Sequence, residues 1–363
     1  LDSKQTPDYI IIFVVITLMS IGLVMILSAS SVRAQVEYND SYYLFRHQLV
    51  WSVVGILAML FFMNVDYHLY KKLAKLILIL AVISLVLVLF IGIIAGGSRR
   101  WLNFGFVRVQ PSELAKLGII IYLAQYFSSK QEKLQSFLKG VLPPVIVLGV
   151  VFMLILLEPD LGTGVAIAGT FMIMLFASGV RISHIFLLIV SGFPLLIYFI
   201  LSEDYRRERL FSFLNPWADP LDTGYHIIQS LLALGSGGIF GVGLGQSKQK
   251  FLYLPEPGTD FVFAVLGEEL GLLGTLFVLG LFFLFVWRGL KIAASVPDLF
   301  GSMLAVGLTS MVIIQAVINI GVVTASMPIT GITLPFISYG GTSLVIMLSG
   351  VGILLNISRE AED

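Results

Sequence analysis

Residues 9–32 read YIIIFVVITLMSIGLVMILSASSV, twenty-four positions without a charge. A helix rises about 1.5 Å per residue, and crossing the hydrocarbon core takes about 20 apolar residues. The run is long enough to span a membrane. It is too long for the apolar part of a signal peptide, and Lys4 is the only basic residue ahead of it. Nine further stretches repeat or approach the pattern, at 48–64, 74–95, 112–128, 141–157, 161–180, 182–201, 261–287, 299–325 and 335–357. Composition agrees, with 58% hydrophobic and 12% charged residues and a mean hydropathy of +0.98. A soluble domain carries about 25% charged residues, and a surface this poor in charge would not disperse in water. The reading is an all-α polytopic membrane protein, one bundle of about ten transmembrane helices over residues 1–363. A large extracellular loop, 202–260, joins helices seven and eight. Only Glu158-Pro159-Asp160 separates the fifth and sixth spans, so those two form a tight helical hairpin.

Several function classes fall away. The formal net charge is +0, so no global field attracts nucleic acid. There is no cysteine, hence no disulfide and no Cys-ligated zinc or iron–sulfur centre. Four widely spaced histidines argue against a His-based metal site. No internal repeat is visible, which disfavours an inverted-repeat transporter. An even number of spans places both termini on one side. That side collects eleven basic residues in short loops, among them Lys4, Lys71, Lys72, Lys75 and Arg288. The opposite short loops hold five: Arg33, Arg46, Arg99, Arg100 and Arg108. Short-loop Lys and Arg favour the cytoplasm, so both termini are expected there. The opposite face, counting Arg206, Arg207, Arg209, Lys248 and Lys250 of the long loop, remains rich in cations and suits an anion.

Individual residues carry two readings each. Asp260 stands where the long loop enters the eighth span, after Pro257-Gly258-Thr259. It is either a helix N-cap or a rim carboxylate whose pKa the apolar walls raise, suited to act as a general base on a sugar hydroxyl. Glu268 and Glu269 lie on the order of 12 Å deeper, where charge is costly; they are functional, or structural and paired with a cation. Glu113 and Lys116 have the i,i+3 spacing of a local ion pair, yet Lys116 one turn into a span with Arg108 just outside also suits a pyrophosphate. Arg99 and Arg100 widen that patch or anchor the interface beside Trp101. The run Gly241-Val242-Gly243-Leu244-Gly245 is either close loop packing or a backbone cradle for phosphate. Asp160 caps the sixth span. Tyr225 to Leu234 forms a short interfacial or re-entrant helix, and the segment from Thr330 to Gly341 opens the tenth span at its outer end, which is tolerated where backbone lines a cavity.

Taken jointly, Gly97-Ser98-Arg99-Arg100-Trp101, the Arg108 to Lys116 stretch, Glu158-Pro159-Asp160-Leu161-Gly162-Thr163-Gly164, Asn215-Pro216-Trp217, the glycine run, Tyr253 to Phe261 and Gly331 to Gly341 resemble the SEDS family (shape, elongation, division and sporulation; the FtsW/RodA/SpoVE proteins) over nearly the whole chain. The wording is closest to the sporulation member, with the division member as the near alternative. The resemblance implies a peptidoglycan glycosyltransferase of the bacterial cytoplasmic membrane that polymerises lipid II on the outer face and releases undecaprenyl diphosphate. It implies a class B penicillin-binding protein as partner, met through the eighth and ninth spans. The family's essential acid falls on Asp260, and its basic pair on Arg108 and Lys116 with Glu113 between them. Arg99, Arg100, Lys248 and Ser338 complete the expected substrate-binding set, with Glu268, Glu269 and Asp160 in support. Some division members carry Lys where this chain has Thr330, so no cationic role transfers there. No cofactor is required by the sequence, although a divalent cation (Mg or Mn) would suit the diphosphate. A lipid II flippase, to which intramembrane Glu268 and Glu269 would be suited, and a non-catalytic scaffold for the penicillin-binding protein are the alternatives.

Overall fold

A computed structural model describes residues 6–95, 98–103, 105, 107–251 and 253–361; Lys4 and Gly97 lie outside these. The spanning helices are α1 (Tyr9–Tyr38), α2 (Tyr43–Asn64), α3 (His68–Ile91), α4 (Pro111–Ser129), α5 (Leu142–Leu157, extended back to Phe137 by a π-helical turn), α6 (Leu161–Ala177) and α7 (Ile182–Leu201). Two shorter helices, α8 (Asp204–Leu214) and α9 (Tyr225–Gly237), fold within the long loop. The spans resume with α10 (Val262–Ser295), α11 (Leu299–Val323) and α12 (Gly341–Ser358). Eight of these are long and apolar enough to cross a membrane. The shorter α6 and the more polar α4 bring the count to ten.

Local chemistry sets the helix ends. Asp8 caps α1 by accepting from the N–H groups of Ile10 and Ile11, and Asn39 closes it in the left-handed region. Pro111 occupies the first turn of α4, where its missing N–H costs nothing. Asp160 caps α6 and Asp298 caps α11. The termini share one face, since the N–H of Asp8 donates to Ser358 Oγ at 3.1 Å. The long loop lies on the other face, called here the loop face.

Helix α11 is the axis of the bundle and packs against α4, α6 and α10, while α2 lies along α12 and α3 along α4. In contrast α7 buries none of its side chains and presents apolar residues all round, as a lipid-facing span does. Three findings differ from the sequence reading. A small antiparallel sheet follows α3, with strands β1 (Ile93–Ala95), β2 (Ser98–Asn103) and β3 (Arg108–Val109), and in β2 Ser98 and Leu102 turn inward while Arg99 and Asn103 face out. The tenth span begins at Gly341 rather than 335, leaving 324–340 as a non-helical strap across the loop face. And α10 is interrupted at Gly271, whose φ of 67° and ψ of −166° no helix holds.

Candidate active site

The strap, the turn 255–260 and the end of α11 meet around Asp260. Asn319, buried on the last turns of α11, donates its amide to the carbonyls of Asp260 (2.8 Å) and Ile332 (2.7 Å). Ser338 Oγ donates to the Thr259 carbonyl at 2.6 Å and accepts from the Leu334 N–H at 2.8 Å. The Tyr339 N–H donates to the Gly258 carbonyl at 2.9 Å. Gln48 of α2 holds the strap from behind through Ser338 O and the Gly340 N–H. These bonds fix the backbone on both sides of Asp260. Gly331 sits against the carboxylate with φ +77°, and a β-carbon there would lie 3.6 Å from Asp260 Oδ2.

The carboxylate itself makes no hydrogen bond or ion pair among the described residues. It does not cap α10 either: Phe261 holds the N-cap position, without a side-chain bond. The cap reading therefore fails, since the helix starts one residue later and no N–H of its first turn bonds the carboxylate. Asp260 is half-buried, and burial pushes its pKa up to about 6. Glu256 adds to the rise, Arg209 and Arg100 oppose it, and Asp160 adds a little. Glu256 is tied down by Arg33 at 2.6 Å and by Thr259 Oγ1 at 3.0 Å.

The remaining expected residues sort by what they touch. Arg108 is exposed on β3 and makes no ion pair among the described residues; its carbonyl accepts from Thr342 at 2.7 Å. Lys116 is buried and bonded to Glu113 at 2.8 Å, beside a cavity of about 10 Å³ that holds one water at most. The local ion pair is thus what forms. Arg100 donates to the carbonyls of Glu158 (2.9 Å) and Pro159 and so braces the α5–α6 turn. Asp160 is the α6 cap, bonded to the Thr163 N–H at 3.1 Å and its hydroxyl at 2.9 Å. Arg99 and Lys248 are exposed. Ser338 is 5% exposed and its hydroxyl is spent on backbone, so it shapes the turn that carries Asp260. Glu158 is fully buried with both carboxylate oxygens unpartnered, and burial first, then Asp160, pushes it up to about 8 against the pull of Arg100.

Glu268 and Glu269 anchor the glycine run. The N–H groups of Val242 and Gly243 donate to their carbonyls, both at 3.0 Å. The Glu268 carboxylate accepts from Ser247 Oγ (2.5 Å) and the Lys248 N–H (2.9 Å). Glu269 accepts from Ser28 Oγ (2.6 Å) and Lys250 Nζ (3.1 Å). The glycines are needed for this fit: a β-carbon on Gly237 would lie 2.0 Å from the Gly267 carbonyl, and one on Gly241 2.2 Å from that of Glu269. Close packing uses Gly237 and Gly241, while a β-carbon on Gly245 would meet nothing within 4 Å. Lys250, Asn319 and Arg209 were not singled out from the sequence as site residues. Arg209 and Lys250 entered only as part of the cation-rich loop, and Asn319 carried a signal as an amide inside an apolar span.

The family model for FtsW/RodA/SpoVE, described as cell cycle protein, matches residues 8–363. Stage V sporulation protein E of Bacillus subtilis is 48% identical over 358 residues, 98% of either chain. A probable peptidoglycan glycosyltransferase FtsW of Geobacter metallireducens is 42% identical over 353 residues, 97% of this chain and 94% of that one. Among solved structures, a chain from work on "structural coordination of polymerization and crosslinking by a peptidoglycan synthase complex" superposes with a TM-score of 0.81 at 29% identity, covering 97% of this chain and 98% of that chain. The rod shape determining protein RodA of Thermus thermophilus superposes with a TM-score of 0.72 at 27% identity, covering 98% of both.

Proposed function

The chain belongs to the FtsW/RodA/SpoVE family of multi-pass membrane proteins, and from that premise we propose that it is a peptidoglycan glycosyltransferase with Asp260 as its general base. It polymerises lipid II into glycan strands, in cell division or spore cortex synthesis. The observation that carries the role of Asp260 is its free carboxylate, rigidly placed by backbone bonds and raised to about 6. A base poised near the working pH combines the correct protonation state with real affinity for the proton.

In this reading the carboxylate takes the proton of the acceptor GlcNAc 4-hydroxyl. The oxygen attacks the anomeric carbon of the growing chain with inversion, and the undecaprenyl diphosphate leaves with the bonding electrons. Such a leaving group needs cationic stabilisation more than a proton. Arg108, exposed and unpaired, is the member of the expected basic pair free to give it. The Lys116–Glu113 pair steadies the start of α4 under Arg108. Glu256 is held by Arg33 and Asp160 by Thr163, which favours a divalent cation carried in with the diphosphate over one held by these acids. Among the described residues, the acid–His group close enough to hold a cation, Asp66, His68 and Glu360, is on the terminal face. A Mg or Mn ion would accordingly travel with the diphosphate.

The excess of Lys and Arg in short loops on the terminal face supports cytoplasmic termini, which puts Asp260 on the outer side. The likeness to a chain of a peptidoglycan synthase complex supports a class B penicillin-binding protein as partner. Glu268 and Glu269, which suited a flippase, are consumed by the loop they anchor. The test is a gel assay for glycan polymer with purified protein, lipid II and the partner, for wild type and Asp260→Asn. Polymer from wild type alone is expected. Equal polymer from both removes Asp260 from the chemistry, and labelled lipid II crossing vesicles without a new glycosidic bond would establish the flippase.

A further inference from the structure

Helix α8 carries three arginines that the structure treats differently. Arg206 is buried, with its guanidinium on the Phe199 carbonyl (3.1 Å) and Tyr205 Oη (2.7 Å). Arg207 pairs with Asp204 at 2.7 Å. Arg209 is exposed, lies over the Tyr205 ring at 5.8 Å, and has one weak bond, 3.4 Å to the Ile329 carbonyl. It makes no ion pair among the described residues. Ile329 is two residues before Gly331, where a β-carbon would lie 3.6 Å from Asp260 Oδ2, so that bond brings the guanidinium to the strap beside the site.

Arg108, exposed on β3, is the other free cation already assigned to the leaving group, and most of the remaining cations of the loop face are committed. Arg33, Arg46, Lys116 and Lys250 each hold a carboxylate. Arg100 braces the α5–α6 turn. The basic groups whose charge reaches Asp260 are Arg209 first and Arg100 second. Geometry gives the rest. In an inverting displacement the departing oxygen lies across the anomeric carbon from the base. The cation that serves it should be about a sugar ring away from the base and must not touch it. Arg209 makes no ion pair with Asp260 and is held on the strap at the Ile329 carbonyl, which leaves room for a sugar between guanidinium and base. Its planar guanidinium matches two phosphate oxygens at once, and its weak carbonyl bond is readily exchanged for them.

We propose that Arg209 is a substrate-binding residue that grips the diphosphate of the lipid-linked donor beside Asp260. The proposal rests on the glycosyltransferase reading above. As the hydroxyl proton passes to Asp260, the new C4–O–C1 bond forms and the C1–O bond to phosphate breaks. The electron pair leaves on the diphosphate, and Arg209 meets that charge from the Asp260 side while Arg108 meets it from β3.

The experiment uses the full chain with its partner. Initial polymerisation rates are measured over lipid II concentration and pH, with inorganic pyrophosphate as competing probe, for wild type, Arg209→Ala, Arg209→Lys and Arg207→Ala. Arg209→Ala is expected to lower kcat/KM on the order of tenfold to a hundredfold, the worth of a charge-assisted bond, and to weaken inhibition by pyrophosphate. It also removes a positive charge facing Asp260, so the acidic limb of the pH profile moves up. Glu256, Arg100 and Asp160 stay in place, and His226 nearby is held down by burial and by Arg209 itself. Arg209→Lys restores the position of the limb and part of the rate; Arg207→Ala changes neither. Unchanged kcat/KM and pyrophosphate inhibition in Arg209→Ala overturn the proposal while wild type polymerises. Should Arg209→Ala fail to fold, Arg209→Lys with wild-type kcat/KM and wild-type pyrophosphate inhibition overturns it equally. No polymer from wild type overturns the glycosyltransferase reading itself, and this proposal with it.

Discussion

The pH dependence of polymerisation follows from the burial of Asp260. With a pKa of about 6, the carboxylate is about 90% ionised at pH 7 and about 10% at pH 5, so kcat/KM falls about tenfold between them. A carboxylate at the ordinary value of about 3.9 would lose less than about 10% over the same interval. Rates at subsaturating lipid II, taken from pH 5 to 8 at constant ionic strength, separate the two. The cause can be tested as well as the position. Burial contributes most to the rise and the charge of Glu256 comes next. Glu256→Gln removes a negative neighbour and releases Arg33, and both changes favour the ionised form. The limb therefore moves to lower pH, and the variant keeps more of its activity at pH 5 than wild type does. A flat profile between pH 5 and 7, or a limb that Glu256→Gln moves upward, refutes the assignment of Asp260 as the base.

Two further outcomes are expected. Asp260→Asn melts no lower than wild type at pH 8: the folded pKa lies above the unfolded one, so the ionised carboxylate is penalised only in the fold. That gap closes as pH falls through about 6 toward the ordinary carboxylate range, and a variant that melts well below wild type at pH 8 contradicts it. Lys250→Met strands Glu269 in a buried site and should cost about 3–5 kcal/mol in thermal or denaturant melts, whereas Lys250→Met with Glu269→Gln should recover much of the loss; equal stability of the single and double variants denies the pairing.

The ten spans were legible because length and apolarity are local quantities, and no partner is needed to state them. What the sequence did not reveal depends on partners far along the chain. Glu268 and Glu269 read as two costly charges at depth, and both are buried. Their cost is offset by Ser28 of α1 and by Ser247, Lys248 and Lys250 of the loop, none within hydrogen-bonding range by helix periodicity. The break in α10 was hidden for the same reason. Gly271 looks like any glycine in an apolar helix until the Gly238 and Ile239 carbonyls are seen accepting from Leu272 and Leu273. The sheet of β1, β2 and β3 is too short and too charged to announce itself, and β2 packs on α3 and α4.

Carboxylates on the loop face can also be sorted without reference to any relative. Asp40, Glu113, Asp160, Glu256, Glu268 and Glu269 are buried or half-buried, and each has a cation, hydroxyl or N–H on it. Two among the described residues do not: Glu158 and Asp260. Both are raised by burial, one to about 8 and the other to about 6. Glu158 is 0% exposed, walled by its own turn and by Arg100, so at neutral pH it stays protonated and out of reach of a hydroxyl. Asp260 keeps part of its surface open, and its lower pKa leaves it ionised. An acid without a partner costs stability wherever it stands; only at Asp260 does that cost come with access to substrate and the protonation state a base requires.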